Sequence, residues 1–325
     1  MQQVTFTLRT LTPLFLAGAD QTQAELRAPT FRGLMRYWYR ALVGGLVGTD
    51  SAGLIAVKEL ETSIFGATNT GSKVTIRVLE EPFESISFRR SGDGKDYLLW
   101  SMEQFTGKPR RRYIPQDTNF QLILSAKNEN TRELEQALAA FWLLIHLGGV
   151  GSRSRRCAGS LAVEFVEGDT YKLQFGEQSS KENLQRYLQQ GLRTIRKLPS
   201  VEPIVVKNAF FDALAQNTCL IWVLHNDGKS WSSSDEAMNA VGTNLQQYRQ
   251  KKSLQEKSIF GLPLKNVSGK RRASPLLLRV SKLHGEQYVV IAVLFKTVGE
   301  GVYSEKYKII EDWIKQFSGK LEVTF

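Results

Sequence analysis

The segment from Gly148 to Ser160 carries four glycines and three arginines and contains no acidic residue. A glycine backbone adopts positive φ easily and lets a ligand approach its amide groups closely. Amide N–H groups and guanidinium groups both donate to anionic oxygens, and several arginines together suit a polyanion better than one nucleotide. The pattern predicts a phosphate-binding loop; the alternative is a solvated, flexible loop with incidental charge. The candidate phosphate-binding residues are Gly148, Gly149, Gly151, Arg153, Arg155, Arg156 and Gly159.

A helix and a strand are predicted on either side of this loop. Apolar residues at helical spacing predict a helix over 131–147, and an apolar run predicts a strand over 161–166. The order helix, loop, strand and the absence of a Gly-Lys-Ser/Thr ending exclude a nucleotide-binding P-loop. The chemistry expected of the loop is therefore electrostatic binding of a chain of phosphates.

Two further basic clusters lie at 107–113 and 265–272, where glycine and proline predict loops. Together with the first loop they hold eleven basic residues and no acid, which equals the net charge of +11. Loop-borne cations on an otherwise balanced chain predict an anionic partner. The candidate residues of these two clusters are Lys108, Arg110, Arg111, Arg112, Lys270, Arg271 and Arg272.

Another set of cations lies on a helix predicted over 29–43, which the glycines at 44 and 45 are expected to end or loosen. Arg32, Arg36 and Arg40 recur every four residues and share one face of this helix. They either line a phosphate track or pair with acids of a neighbouring subunit, and the sequence leaves both readings open.

The chain shows no arrangement of residues that is typical of a catalytic or metal site. His146, His225 and His284 have no acid or nucleophile at a recognisable spacing, and paired carboxylates and clustered aspartates are absent from the sequence. His146 fits best as a structural residue. The alternative is that His146 and an arginine cleave RNA by activating a 2′-hydroxyl. We expect no enzyme activity, no metal and no cofactor.

The composition predicts a folded chain in a reducing compartment. Apolar residues make up 42% of the 325 residues, which is enough for a substantial core. Cys157 and Cys219 are far apart and indicate neither a disulfide framework nor a zinc site. No run of about 18 apolar residues occurs, so no transmembrane helix is expected. The expected location is the cytoplasm, without membrane contact.

The second half of the chain repeats the pattern of the first. Ser-Ile-Phe-Gly occurs at 63–66 and again at 258–261, and each copy precedes a basic loop and a strand ending in Arg-Val. Each half then ends with a helix and a strand. This order predicts an α+β protein with two tandem ferredoxin-like (RRM-like, βαββαβ) domains, at 1–175 and 176–325. Other local patterns predict a strand over 171–175, helices over 181–197 and 303–317, and a closing strand over 320–325.

Residues 11–42 resemble the N-terminal signature of a RAMP-superfamily subunit of the type III-B CRISPR effector, the Cmr complex. The segment 148–160 resembles the glycine-rich loop of that superfamily, and 259–264 with 271–275 match the second half of the same subunit family. Cys157 and Ala158 stand where this loop more often has glycine and an aromatic residue, which weakens any claim that its tip stacks on a base.

The resemblance implies two ferredoxin-like folds and a place at the end of a ribonucleoprotein, in contact with the 3′ region of the guide RNA and with the paired target. It also implies that target cutting belongs to a different, repeated subunit. We therefore expect a non-catalytic RNA-binding subunit of antiviral defence, whose partners are guide RNA, target RNA and other RAMP subunits. The alternatives are a metal-independent RAMP endoribonuclease that processes guide RNA, and a scaffold whose arginines meet acidic protein surfaces.

Overall fold

The chain forms two four-stranded antiparallel sheets with helices packed on them. The computed structural model describes residues 1–20, 22–103, 110–264, 267–299, 302 and 304–325, and for 263 and 267–271 it describes the backbone alone. The first elements are β1 (Gln2–Thr10), α1 (Ala28–Val47), α2 (Ser51–Phe65), β2 (Val74–Glu80), β3 (Ile86–Ser87), α3 (Gly94–Leu99), β4 (Arg112–Tyr113), β5 (Asn119–Ala126), α4 (Thr131–Leu147) and β6 (Leu161–Glu167). They are followed by α5 (Lys181–Ile195), β7 (Cys219–Leu224), α6 (Ser234–Gln250), α7 (Leu254–Ile259), β8 (Leu262–Leu264), β9 (Val267–Arg272), β10 (Leu276–Leu283), β11 (Gln287–Phe295), α8 (Lys308–Ile314) and β12 (Leu321–Glu322).

The two large sheets are built in the same order along the chain. If the short hairpins β3–β4 and β8–β9 and the additional helices α2, α3, α5 and α7 are left aside, each half runs strand, helix, strand, strand, helix, strand. The spatial order is β2, β5, β1, β6 in the first sheet and β10, β11, β7, β12 in the second. In both, the first strand of the half lies between its third and fourth strands. The repeat in the sequence is therefore also a repeat of topology.

Helix α4 lies at the centre of the fold because it is apolar on all sides from residue 137 to residue 145. All of its residues from 136 to 147 are buried, and it packs on strands of both sheets. One hydrophobic cluster contains residues from both halves, among them Phe6, Trp142 and Phe295. The halves share part of their core, and the domain boundary expected after residue 175 stays a prediction.

Helix α1 continues four residues past its predicted end, through Gly44 and Gly45. A Cβ on Gly45 would lie 2.1 Å from the carbonyl oxygen of Leu214, and one on Gly44 would lie 2.7 Å from the ring of Phe211. The prediction that these glycines end the helix was wrong. They allow the segment 211–214 to pack directly on the helix, at a distance that leaves no room for a side chain.

Replacing Gly45 with alanine is expected to lower the free energy of unfolding by about 1–3 kcal/mol, because the added methyl group meets main-chain atoms. Helix propensity alone would favour alanine by roughly 1 kcal/mol, so the sign of the change tests the packing. Urea denaturation followed by circular dichroism measures it. Gly33→Ala in the same helix is the matched control, since a Cβ there meets no atom within 4 Å; it is expected to be stabilising. Stabilisation by both substitutions would contradict the close packing.

Three local predictions near the end of each half need correction. The strand predicted over 171–175 was wrong, because Tyr171 and Lys172 have φ angles of 51° and 70° and lie in a turn. Of the helix predicted over 303–317, residue 303 lies outside the described residues, 304–307 form a 3₁₀ turn and α8 follows. The closing strand is reduced to β12. The helix predicted over 181–197 is confirmed as α5.

Candidate nucleic-acid interface

The glycine–arginine loop, which we define as residues 148–160, lies between the two halves and is bonded to both. The main-chain N–H of Cys157 donates to the carbonyl oxygen of Leu278 at 2.8 Å, in β10 of the second half. The main-chain N–H of Gly159 donates to the carbonyl oxygen of Pro13 at 2.9 Å, shortly after β1. The loop is therefore ordered by main-chain hydrogen bonds on two sides.

Arg156 is buried and its guanidinium group is bound to the second half. One terminal nitrogen donates to the carbonyl oxygen of Leu276 at 3.0 Å. The other donates to the hydroxyl of Ser274 at 2.9 Å and to the carbonyl oxygen of Phe260 at 3.3 Å. Burial, followed by the charge of the neighbouring Arg153, lowers the pKa of Arg156 to about 9. Main-chain and hydroxyl oxygens surround this cation, and the structure places no carboxylate against it among the described residues.

Arg153 and Arg155 are also engaged with the protein itself. The Arg153 Nε donates to the carbonyl oxygen of Leu98 at 2.7 Å, and burial lowers the pKa of Arg153 to about 10. Arg155 forms an ion pair of 2.9 Å with Asp212 and donates to the hydroxyl of Tyr37 at 3.2 Å. Although burial acts to lower it, these two neighbours raise the pKa of Arg155 above its ordinary value.

The glycines of the loop are required by the way it packs. Gly151 and Gly159 have φ angles of 83° and 62°, in the left-handed region that favours glycine. A Cβ on Gly159 would lie 1.9 Å from the carbonyl oxygen of Val150, and one on Gly151 would lie 2.4 Å from that of Phe15. The remaining two are enclosed as well, Gly148 by Trp38 and Gly149 by Ala158. RNA binding by the loop residues stays a prediction; the contacts observed for them are internal.

The arginines of α1 meet an acid of the same chain. Arg36 and Arg40 both bind the buried carboxylate of Glu61 in α2, and the Arg40 Nη1 lies 3.3 Å from Glu61 Oε1. Arg32 forms no hydrogen bond or ion pair with the residues that the structure describes. The sequence suggested either phosphates or acids of a neighbouring subunit as partners of these arginines. The structure shows another partner, Glu61 of the same chain, which the sequence did not indicate.

The second basic cluster lies partly at a cavity beside the glycine–arginine loop. Lys108 lies outside the described residues. Arg110 forms an ion pair of 3.2 Å with Glu103, and the Arg112 Nε donates to the hydroxyl of Ser85 at 2.7 Å. Arg111 and Arg112 line a cavity of about 350 Å³ with Phe15, Leu16, Ala17, Gly18, Thr30, Leu34, Gly151 and Ser152.

The third cluster belongs to the hairpin β8–β9 rather than to an irregular loop. Lys270 and Arg271 lie on β9, and their side chains are outside the described part of the structure. Arg272 ends β9 and donates to the carbonyl oxygen of Ser258. Its Nη1 is buried without a hydrogen-bond partner among the described residues.

One cavity brings together an arginine from each of three distant segments. Arg40 of α1, Arg155 of the glycine–arginine loop and Arg272 of β9 line a cavity of about 430 Å³ between the halves, which we call the inter-half cavity. Its aromatic lining includes Phe210, whose surface is 63% exposed. The other lining residues are Tyr37, Leu54, Phe211, Asp212, Ala273, Ser274, Pro275, Thr297 and Tyr307.

The inter-half cavity combines positive charge with rings, which is the arrangement that binds phosphates and stacks bases. Asp212, the acid among its described lining residues, accepts from Tyr37 at 2.7 Å and pairs with Arg155 at 2.9 Å, so the net positive charge of the lining comes from Arg40 and Arg272. Sequence reasoning missed Phe210 and Asp212 altogether. Their signal was an aromatic pair followed by an acid just after the proline-containing segment 199–203.

The histidines do not form a catalytic group in the structure. His146 is 6% exposed, its Nδ1 lies 2.8 Å from the carbonyl oxygen of Trp142, and its Nε2 lies 2.9 Å from the hydroxyl of Tyr187. Burial, and then the charge of Arg279, lower the pKa of His146 to about 3. His225 is buried and accepts from the main chain of residue 228. Within the described residues, no group of three His, Cys, Asp or Glu side chains is placed to hold a metal ion.

Comparison with known proteins identifies the family. The model of the RAMP superfamily matches residues 7–162. The CRISPR system Cmr subunit Cmr1-2 of Pyrococcus furiosus is 33% identical over 187 residues, which cover 51% of this chain and 97% of that protein. The crystal structure of Cmr1 from Pyrococcus furiosus in its apo form has a TM-score of 0.74 and 22% identity, covering 99% of each chain. A chain of the Type III-B Cmr-beta bound to cognate target RNA has a TM-score of 0.62 and 14% identity, covering 96% of this chain and 99% of that one.

The α+β fold, the glycine-rich loop and the matching model define a RAMP-superfamily protein. Within that superfamily the chain belongs to the family of the Cmr1 subunits of CRISPR systems, because the 33% identical relative of that name is matched over 97% of the relative's own length. The resemblance noted in the sequence is thereby confirmed. In the described part of the chain, every helix is too short or too polar to cross a membrane.

Proposed function

We propose that this chain is a non-catalytic RNA-binding subunit of a CRISPR type III-B (Cmr) effector in the cytoplasm. In this proposal it consists of two ferredoxin-like domains and assembles with guide RNA, target RNA and other RAMP subunits. The family supports the assembly, since a chain with this fold occurs in the Cmr-beta complex bound to cognate target RNA. The order of strands in both sheets supports the ferredoxin-like assignment.

The observation that carries the RNA-binding role is the inter-half cavity. Arg40, Arg155 and Arg272 come from separate segments of the chain and meet there with an exposed aromatic ring. An exposed phenylalanine beside guanidinium groups can stack on a base while the cations bind the adjoining phosphates. In this proposal Arg153 and Arg156 of the glycine–arginine loop hold the two halves in place, and Arg40, Arg155 and Arg272 around the cavity make the contacts to RNA.

The non-catalytic part of the proposal is supported by the state of the histidines. His146 and His225 are buried and hydrogen-bonded inside the fold, and a general base has to reach the proton that it removes. Incubation of guide-RNA precursor with the protein in EDTA tests this part. We expect no 2′,3′-cyclic phosphate product; cleavage that disappears in His146→Ala would establish the endoribonuclease alternative instead.

Replacing Arg40 with glutamine and Phe210 with alanine in one variant is expected to weaken binding of a labelled single-stranded RNA about tenfold or more, because one phosphate contact and one stacking surface are lost. The dependence of log affinity on log salt should become shallower by about 0.7. Fluorescence anisotropy across a salt series measures both quantities. The fold should persist, since Arg36 still neutralises Glu61.

The matched control for this variant is Lys58→Gln with Leu254→Ala. It removes one exposed cation and one exposed apolar side chain that do not line the inter-half cavity. Its RNA affinity and salt slope are expected to stay close to those of the unmodified chain. Equal losses in both double variants would mean that net charge rather than the cavity determines binding, and the proposed site would be wrong.

A further inference from the structure

Helix α5 has one face packed on the fold and one face turned to solvent. Leu184, Leu188, Leu192 and Ile195 are buried, and they recur at helical spacing. Between them, a Cβ on Gly191 would lie 2.1 Å from the ring of Trp142 in α4. This close approach fixes the rotation of α5 about its axis, and with it the direction of the opposite face.

The opposite face of α5 carries a row of hydrogen-bond donors. Arg186, Gln190 and Arg193 of α5, together with Lys197 two residues beyond its end, recur at spacings of four, three and four residues, and all four are exposed. At a rise of about 1.5 Å per residue the row is roughly 16 Å long. Lys172 lies beside it. The row borders a groove of about 730 Å³ lined by Lys172, Arg186, Gln189, Gln190, Arg193, Thr194, Lys197 and Leu198, which we call the α5 groove.

The cations of the α5 groove have few partners within the protein. The side chains of Lys172, Arg193 and Lys197 form no hydrogen bond or ion pair with any residue that the structure describes. Arg186 donates to Asn183 and to a main-chain carbonyl, and so keeps its charge uncompensated. No acid is among the lining residues. Four like charges around one groove repel one another, and a bound anion would relieve that repulsion.

A strained turn supplies the fourth cation. Tyr171 and Lys172 are consecutive non-glycine residues with positive φ, a conformation that costs free energy and persists only where surrounding contacts fix it. The turn is fixed at three points. Asp169 accepts from the main chain of Tyr171 at 2.8 Å, Leu173 donates to the residue 170 carbonyl at 3.0 Å, and the Tyr171 hydroxyl donates to Gln2 at 2.9 Å. Lys172 is thus held at the groove by an ordered turn.

The chemistry of the α5 groove fits a nucleic-acid backbone better than a protein. A protein interface has an apolar centre, whereas apart from Leu198 the groove is lined by arginine, lysine, glutamine and threonine. Interfaces with nucleic acids are polar and strongly positive. The length of the row matches about five phosphates of a stacked strand, at roughly 3.4 Å each.

We propose that the α5 groove binds the sugar–phosphate backbone of a single-stranded nucleic acid without regard to its sequence. The groove shares no lining residue with the inter-half cavity, so it provides a second contact that stands apart from the proposed function. A strand bound at both places would be held over a longer stretch than either site covers.

The experiment compares the full chain with a groove variant in which Lys172, Arg193 and Lys197 are replaced by glutamine. The probe is a labelled single-stranded RNA of mixed sequence, and its affinity is measured across a salt series. We expect affinity at 0.1 M salt to fall more than tenfold and the salt slope to become shallower by about 2, at about 0.7 for each lost phosphate contact. Photocrosslinking with 4-thiouridine RNA should yield attached peptides from 172–197 in the unmodified chain.

The control removes the same charge elsewhere, by replacing the exposed Lys58, Lys229 and Lys251 with glutamine. The proposal is overturned if the groove variant binds RNA as well as this control does. It is also overturned if the groove variant binds RNA normally but no longer assembles with purified partner subunits, because the groove would then be a protein contact. Measuring Arg40→Gln/Phe210→Ala alongside separates the two sites. A loss in that variant alone leaves the proposed function standing and rejects the groove.

Discussion

Replacing Arg156 with alanine is expected to lower the free energy of unfolding by about 3–5 kcal/mol. The substitution removes the donors that serve the carbonyl oxygens of Leu276 and Phe260 and the hydroxyl of Ser274. The Ser274 hydroxyl and the Leu276 carbonyl oxygen still bond each other at 3.0 Å, so the cost comes from losing hydrogen bonds to a charged donor, which contribute about 1.5–3 kcal/mol each. Only 7% of the surface of Arg156 is exposed, so water does not reach the acceptors to replace the lost donors. Urea denaturation followed by tryptophan fluorescence measures the change.

Two controls separate the geometry of Arg156 from its charge. Arg156→Lys retains the charge but loses the planar fork that serves several acceptors at once, and we expect it to recover less than half of the lost stability. Arg193→Ala removes an exposed arginine and should change stability by less than about 0.5 kcal/mol. If Arg156→Ala were as stable as the unmodified chain, the glycine–arginine loop would not be what holds the two halves together.

The same variant also tests how the loop relates to RNA. If the role of Arg156 is to hold the two halves together, Arg156→Ala that is folded at low temperature should bind RNA with the same dependence of log affinity on log salt as the unmodified chain. A slope that becomes shallower by about 0.7 in the folded variant would instead indicate a direct phosphate contact. That result would support the phosphate-binding role that the sequence predicts for Arg156.

His146 should make the chain sensitive to acid. Its pKa is about 3 in the folded chain and about 6.5 in an unfolded one. Between these two pH values the unfolded chain binds one proton more than the folded chain, so acid favours unfolding. Stability is therefore lost as the pH falls below 6.5, by about 1.4 kcal/mol per pH unit for this group. Above pH 7 the group is neutral in both states and contributes no pH dependence.

Replacing His146 with phenylalanine removes this titration and keeps a ring beside Trp142, whose ring centroid lies 4.4 Å away. Relative to the unmodified chain, the variant is expected to gain about 1.4 kcal/mol for each pH unit between 6 and 4. Urea denaturation at several pH values measures the difference, in which the carboxylates common to both chains cancel. Parallel curves for the unmodified chain and His146→Phe would contradict the low pKa.

Much of the fold could be predicted because its pattern is local. The bounds of the helix 131–147 were predicted to the residue, because its apolar run and the glycine that ends it are adjacent in the sequence. The repeat of Ser-Ile-Phe-Gly indicated two copies of one topology. Helices α2 and α6 were not predicted, and Gly44 and Gly45 were expected to end or loosen α1, which continues through them. The role of Gly45 depends on Leu214, far away in the sequence, and no local pattern reports such a contact.

The candidate site was less predictable for a related physical reason. The basic residues were found by counting charge, but charge does not tell whether a guanidinium group faces solvent or a main-chain carbonyl. Arg156 and Arg40 look alike in the sequence, yet one is buried among carbonyl oxygens and the other lines an open cavity. Phe210 was not predicted as a site residue because its importance comes from residues that are close in space but distant in the sequence. The packing of the two halves against each other determines which side chains are buried, and the sequence of a single loop carries no information about that packing.

The acceptors at the joint between the halves are mostly main-chain atoms. Arg155 and Arg156 bind the carbonyl oxygens of residues 274 and 276, and Cys157 binds that of residue 278. In the other direction, Arg279 donates to the carbonyl oxygen of Leu161. Every amino acid presents the same carbonyl group. Over evolution the second half can therefore exchange many of its side chains along β10, with the exception of Arg279, without loosening its attachment, whereas the first half must retain Arg155 and Arg156.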